Sequence, residues 1–174
     1  MINSKPNNKN YHQGNFVPTN KDKVLKLNSE GGIYYRSSLE KKMMIWLDNH
    51  EKVVTWGAEC LKIPYQLTHY LPDGDIKLKN HTYFPDFYYE MKGTDGFNKK
   101  VVAEVKPQKE YLMVVKLQEG KIESPKNKAT LKKMKNLEYD VKMAHKNKKK
   151  WESMIKFCDL KGYKFVVITE KHLR

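Results

Sequence analysis

Tyr83-Phe84-Pro85-Asp86-Phe87-Tyr88-Tyr89 and, beyond a turn over Gly93 to Asn98, Val101-Val102-Ala103-Glu104-Val105-Lys106 are the stretch that decides the fold. Aromatic residues fill the first half and β-branched residues the second, the composition of a half-buried or buried sheet. His81 to Lys92 is predicted as one long strand and Val101 to Lys106 as a shorter buried one, together a hairpin. If the turn centres on Asp95, antiparallel partners sum to 190 (twice 95), and Asp86 lies directly across from Glu104. Opposed side chains share a face, with Cβ atoms about 5 Å apart. Two carboxylates so placed repel one another unless a cation lies between them. Lys106, two residues past Glu104, points to the same face, and Val101, Ala103 and Val105 point to the other, toward a core. A slip of one residue would part the acids.

Short patterns of this kind recur by chance. Glu-x-Lys occurs four times, as Glu40/Lys42, Glu90/Lys92, Glu104/Lys106 and Glu119/Lys121, and Pro-Asp twice, the other copy being Pro72-Asp73. In a lysine-rich chain most such matches are solvated faces. Context singles out Glu104, because Val-Val-Ala precedes it and a carboxylate inside an apolar strand is costly without a partner. Asp86 interrupts an aromatic run in the same way. Two carboxylates that converge suit a hard cation such as Mg²⁺, and a lysine beside them suits the charge of a phosphate or an attacking water.

The rest of the chain sets limits on the chemistry. Its 174 residues carry a formal net charge of +14, enough length for one domain with a single core. Hydrophobic residues make up 39% and charged residues 31%, which fits a globular domain with polar extensions. No apolar run approaches the roughly 20 residues of a membrane span, and no signal peptide opens the chain. Cys60 and Cys158 have neither CxxC nor paired Cys/His spacing, so they are expected to be small buried hydrophobes rather than zinc ligands or a disulfide. The six histidines show no pairing with Ser or Cys that would support nucleophilic catalysis. The only arginines are Arg36 and Arg174, so the charge is lysine charge, suited to sequence-blind phosphate contact.

Outward from the hairpin, residues 1–30, dominated by Asn, Lys, Gly and Pro, are expected to be an extended N-terminal arm to a single domain over 31–174. Ser37 or Ser38 caps a predicted helix running to about Asn49, with Glu40 in its first turn. Val53 to Trp56 and Leu61 to Leu67 are predicted strands, and Pro72 to Asp75 a turn. From about Lys128 apolar residues recur at helical spacing, predicting one helix through Ala144 and a second, capped by Asn147, carrying Trp151, Met154, Ile155 and Cys158. Gly162 stops it, and Lys164 to Thr169 is a last strand. The order implies a mixed α/β or α+β sheet flanked by helices. Ten lysines against Glu138 and Asp140 lie between Lys126 and Lys150, an exposed flank for DNA or a solvated helix face; Lys132, Lys133 and Lys135 are its candidate contacts. Arg36 is placed to touch a phosphate or to pair with a carboxylate. The Tyr83 to Tyr89 aromatics suit core better than base stacking.

The Pro-Asp…Glu-x-Lys hairpin after a helix bearing Glu40 resembles the PD-(D/E)XK, or restriction-endonuclease-like, nuclease superfamily. More narrowly, the chain is similar to the head completion nucleases of large contractile-tailed phages. The similarity rests on Tyr11-His12-Gln13-Gly14-Asn15-Phe16-Val17-Pro18, Tyr35-Arg36-Ser37-Ser38-Leu39-Glu40, Val54-Thr55-Trp56-Gly57-Ala58-Glu59, the hairpin itself, Lys150-Trp151, and Phe165 to Glu170. It also resembles, less closely, transposon-encoded end-cleaving subunits. Leu39 departs from the pattern, where an aromatic tends to precede the helix glutamate. The resemblance implies a Mg²⁺-dependent DNA endonuclease, with Mn²⁺ able to substitute, acting in the host cytoplasm during assembly or in the head-neck region of the virion. Asp86 and Glu104 would bind metal, Glu40 would lend a further carboxylate directly or through water, and Lys106 would orient water or steady the phosphate. DNA and phage portal or head-neck proteins are the implied partners. The alternative is a catalytically silent DNA-binding or structural head-neck protein that retains the fold.

Overall fold

The computed structural model describes residues 12–70, 73–122 and 131–173. In chain order the elements are β1 (Gly14–Phe16), β2 (Ile33–Tyr35), α1 (Ser38–Asn49), β3 (Val53–Ala58), β4 (Ile63–Tyr70), β5 (Ile76–Tyr83), β6 (Phe87–Lys92), β7 (Asn98–Val105), α2 (Gln108–Gln118), α3 (Leu131–Lys161) and β8 (Lys164–Ile168). A four-stranded sheet of order β3-β6-β7-β8 forms the centre. Its first two pairings are antiparallel and β7/β8 is parallel, joined by the crossover through α2 and α3. This is the expected mixed α+β sheet flanked by helices.

The hairpin register agrees with the turn arithmetic. Phe87 pairs with Ala103, Tyr88 with Val102 and Lys92 with Asn98, each pair summing to 190. Five consecutive residues, Val101 to Val105, are buried, because both faces of β7 are covered. On one face Val101, Ala103 and Val105 meet Met43, Met44 and Leu47 of α1. On the other, Val102 and Tyr88 meet Met154 and Cys158 of α3, with Ile63 and Tyr65 of β4. Glu104 shares the α3 face.

Three expectations are corrected. The aromatic strand His81 to Lys92 is broken in two, because Phe84-Pro85-Asp86 leaves the ladder: Pro85 has no N–H to donate. β5 pairs instead with β4 in a separate two-stranded sheet, His81 opposite Tyr65. The two C-terminal helices are one 31-residue helix, with Asn147 in its interior. Ala144, Trp151, Met154 and Cys158 are its buried residues and hold one stripe through Asn147, so packing overrides the capping preference of that residue. The third is α2, which sequence reading left unassigned; Pro107 ends the ladder as expected but then opens a helix as its N-cap.

Other predicted details stand. Ser37 is the α1 cap, its Oγ accepting from Glu40 N at 3.1 Å. Gly162 ends α3 with φ +67°, and Tyr163 N reaches back to Cys158 O at 2.8 Å. Cys158 is buried as expected, but the expectation fails for Cys60, which is exposed because it lies in the loop between β3 and β4, outside the sheet. The described part of the arm lies on the core: β1 pairs with β2, and Phe16, Val24 and Leu27 pack against the α1 cluster. Buried Asp48 of α1 clips it there, its carboxylate accepting from Thr19 N at 2.8 Å and Asn20 N at 3.1 Å. No helix among the described residues is long and apolar enough to cross a membrane.

Candidate active site

Asp86 stands at the point where the chain re-enters the sheet, one residue before β6. Its Oδ2 accepts at 2.7 Å from the backbone N–H of Val105, the residue between Glu104 and Lys106. That bond ties the Pro-Asp turn to the Glu-x-Lys strand and places the acids together, as the register requires. Asp86 Oδ1 takes no hydrogen bond from the described residues. Glu104 is 1% exposed, and of the four Glu-x-Lys glutamates only this one is buried. Lys106 Nζ lies 3.0 Å from Glu104 Oε1. The other copies differ: Glu90 accepts from Tyr88 OH at 2.6 Å, and Glu119 pairs with Lys121 on the surface.

Two further residues complete the cluster and were not singled out from the sequence. Tyr83, at the end of β5, donates its hydroxyl to Glu104 Oε2. Burial first, and then the Glu104 charge, push the Tyr83 phenol far above its ordinary range, so it remains a neutral donor. Lys150 of α3 sits with Nζ 4.8 Å from the centre of the Tyr83 ring. Burial lowers its pKa, and Lys106 and Lys146 lower it further against the pull of Glu104 and Asp86. Lys106 behaves oppositely: burial alone would lower it, but Glu104 and Asp86 outweigh that and hold it above the usual lysine range. Asp86 is pushed up to about 7, first by burial and then by repulsion from Glu104, with Lys106 and the Val105 N–H only partly offsetting them. The signal for Tyr83 was its place two residues ahead of Pro85. For Lys150 no local signal exists, since its approach to the acids depends on how α3 crosses the sheet.

The remaining candidates fall elsewhere. Glu40 is committed to its own helix start, with Oε2 accepting from Arg36 N, one residue before the cap, at 2.8 Å and Oε1 from Ser37 Oγ at 2.9 Å, a relative of the capping box. It still lies near enough to repel Asp86. Arg36 pairs with Glu59 on the surface, the second of the two alternatives the sequence left open. Lys132, Lys133 and Lys135 are exposed on the first turns of α3. At 1.5 Å per residue they lie about 25 Å along the helix from Lys150.

No group of three Asp, Glu, His or Cys side chains among the described residues converges as a metal site, so Glu40 does not join the pair here. The pair itself fits Mg²⁺, which is held by one or two carboxylates while keeping several waters. Asp86 has an uncommitted oxygen, and its pKa is raised by burial first and then by Glu104, both of them costs of its charge that a cation would offset. Glu104 now spends its oxygens on Lys106 and Tyr83.

No solved structure matches the chain. Over 163 residues it is 29% identical to the head completion nuclease of Enterobacteria phage T4, covering 94% of each chain. Residues 50–170 match the family model described as TnsA-like endonuclease N terminal, a span that contains Asp86, Glu104, Lys106 and Lys150. The sheet order and the flanking helices agree with the restriction-endonuclease-like fold of that family, and the chain therefore belongs to the TnsA-like endonuclease N-terminal family.

Proposed function

We propose that this protein is a Mg²⁺-dependent DNA endonuclease of phage head completion, trimming or nicking packaged DNA before the tail attaches. The observation that carries the chemistry is the convergence of Asp86, Glu104 and Lys106 at one end of β6 and β7. The head-completion setting is supported by the similarity to the phage T4 nuclease along nearly the whole length. In this reading Asp86 and Glu104 hold the ion, and Mn²⁺ substitutes. The ion supplies positive charge against the phosphate and makes water a better nucleophile.

The protein's own groups divide the remaining work. Lys106 stays protonated, so it serves as a fixed charge that steadies the crowded phosphate and orients water, not as a base. Tyr83 holds the Glu104 carboxylate in place through its hydroxyl. Glu40 acts on Asp86 through water from its place at the helix start. Water adds to phosphorus, one P–O bond to a sugar breaks, and the departing oxygen takes the proton. DNA is the substrate, held by lysines, and portal or head-neck proteins would present its end.

The second reading, a silent DNA-binding or head-neck structural protein, draws on one observation: both Glu104 oxygens already have partners. Plasmid incubated with purified protein and Mg²⁺ or Mn²⁺ separates the two. The nuclease reading expects cleavage that chelation abolishes and that Asp86→Ala and Lys106→Ala reduce by about a hundredfold or more. Equal inertness of wild type and variants, with DNA still bound, would leave the structural reading standing.

A further inference from the structure

A cleft of about 360 Å³ opens beside Lys106, between α2 and α3. Tyr139, Met143, Lys146 and Lys150 line it from α3, at offsets of 4, 3 and 4 residues that put them along one helix face. Met113 of α2 and the small Ala144 supply the rest of an apolar floor. The mouth is cationic. Lys109 and Asp140 neutralise one another at 2.7 Å across the two helices, and Glu110 faces Lys106. Lys146 and Lys150 have no ion-pair partner among the described residues, and Lys146 adds its repulsion to the burial that lowers the Lys150 pKa. Cations held together over an apolar floor call for an anion joined to an apolar plane. A nucleotide is such a ligand, with a phosphate at one end and a base at the other.

We infer that this cleft seats one unpaired nucleotide next to the phosphate being cut, so that the substrate is DNA with a single-stranded end or segment. The inference rests on the nuclease reading above and names the substrate class of that site. The base enters over Met143 and Met113 with Tyr139 at the rim, while Lys146 and Lys150 take its phosphate. Lys150 links the cleft to the acids through Tyr83. A base inside an intact duplex is stacked and paired and cannot reach the floor without a cost of a few kcal/mol in unstacking, least when the strand is already single. Tyr139 is 63% exposed, which leaves its ring free to stack.

Fluorescence anisotropy in EDTA, where no cutting occurs, tests this with three labelled hairpin duplexes: blunt, with a short single-stranded tail, and with the same tail abasic. The tailed duplex is expected to bind roughly five- to a hundredfold more tightly than the blunt one, the range of one base on an aromatic platform. The abasic tail should lose most of that gain, as should Tyr139→Ala, a surface change that leaves the core alone. Lys146→Ala should weaken both tailed forms. Equal binding of blunt and tailed duplexes, or of intact and abasic tails, would overturn the inference. Cleavage of the same blunt and tailed duplexes in Mg²⁺ separates the two failures: a protein that cuts both without tail preference keeps the nuclease reading and loses the cleft. One that prefers tails but cuts nothing keeps the cleft as a strand-end site and loses catalysis.

Discussion

At the residue scale, Glu104 shows how burial turns a common tripeptide into a site. A carboxylate with 1% exposure is affordable only because Lys106 and Tyr83 satisfy it. Lys106→Met should therefore lower stability by about 3 kcal/mol in urea unfolding, with much of the loss recovered by adding Glu104→Leu. An unchanged midpoint in the single variant would mean that Glu104 finds another counter-charge. Asp86 titrates in the opposite sense to a salt-bridged acid. Its folded pKa is raised from 3.8 to about 7, so its contribution to stability is whole below about pH 4 and lost as pH rises through about 7. A bound cation reverses that loss. The Mg²⁺-induced rise in Tm should accordingly be small near pH 5.5, larger near pH 8, and absent at both in Asp86→Asn. Equal shifts at the two pH values would place the ion elsewhere. Asp86, Glu104 and Lys106 could be picked from the sequence because charges interrupt apolar strands. Lys150 could not, because its approach depends on where α3 crosses the sheet.

At the element scale, the β6/β7 turn sets the register that brings Asp86 to Glu104. Gly93 is required there by close approach: a Cβ would stand 2.5 Å from both Phe97 O and Asp95 Oδ1. Gly93→Ala should cost about 1–3 kcal/mol and speed amide hydrogen exchange along β6 and β7 ahead of α1. Exchange that rises uniformly would show that the turn does not govern the hairpin. The elements misjudged from sequence share a cause. Strand and helix preferences are local, whereas the split of the aromatic strand and the continuity of α3 are decided by partners. β5 leaves the main sheet to pair with β4, and α3 stays helical through Asn147 because its apolar stripe is buried on both sides of that residue. α2 went unassigned although Tyr111, Val114 and Val115 carry helical spacing, because Pro107 marks an end as readily as a beginning.

At the scale of the molecule, the arm and the basic end of α3 meet the rest of the fold at different places, so their roles can be tested separately. Asp48→Ala removes two backbone donors' acceptor and should release residues 12–30, exposing them to limited proteolysis and lowering stability by about 3 kcal/mol. A protease pattern like that of the wild type would show the arm held by its β1/β2 pairing, its backbone bonds to β3 and the packing of Phe16, Val24 and Leu27. Replacing Lys132, Lys133 and Lys135 with glutamine should flatten the salt dependence of DNA affinity by about one to three units of log–log slope. An unaltered slope would take DNA off that end of α3. By itself the sequence determined the composition of the sheet, the hairpin register and the pairing of two acids with one lysine, because side-chain period and turn length are local rules. It also carried the family, through similarity spread along nearly the whole chain. Only the tertiary structure decided that Glu40 caps its helix instead of joining the pair, that Tyr83 and Lys150 do join it, and that a cleft opens beside them. Those outcomes depend on how α1 and α3 pack on opposite faces of one sheet, and packing is set by residues far apart in the chain.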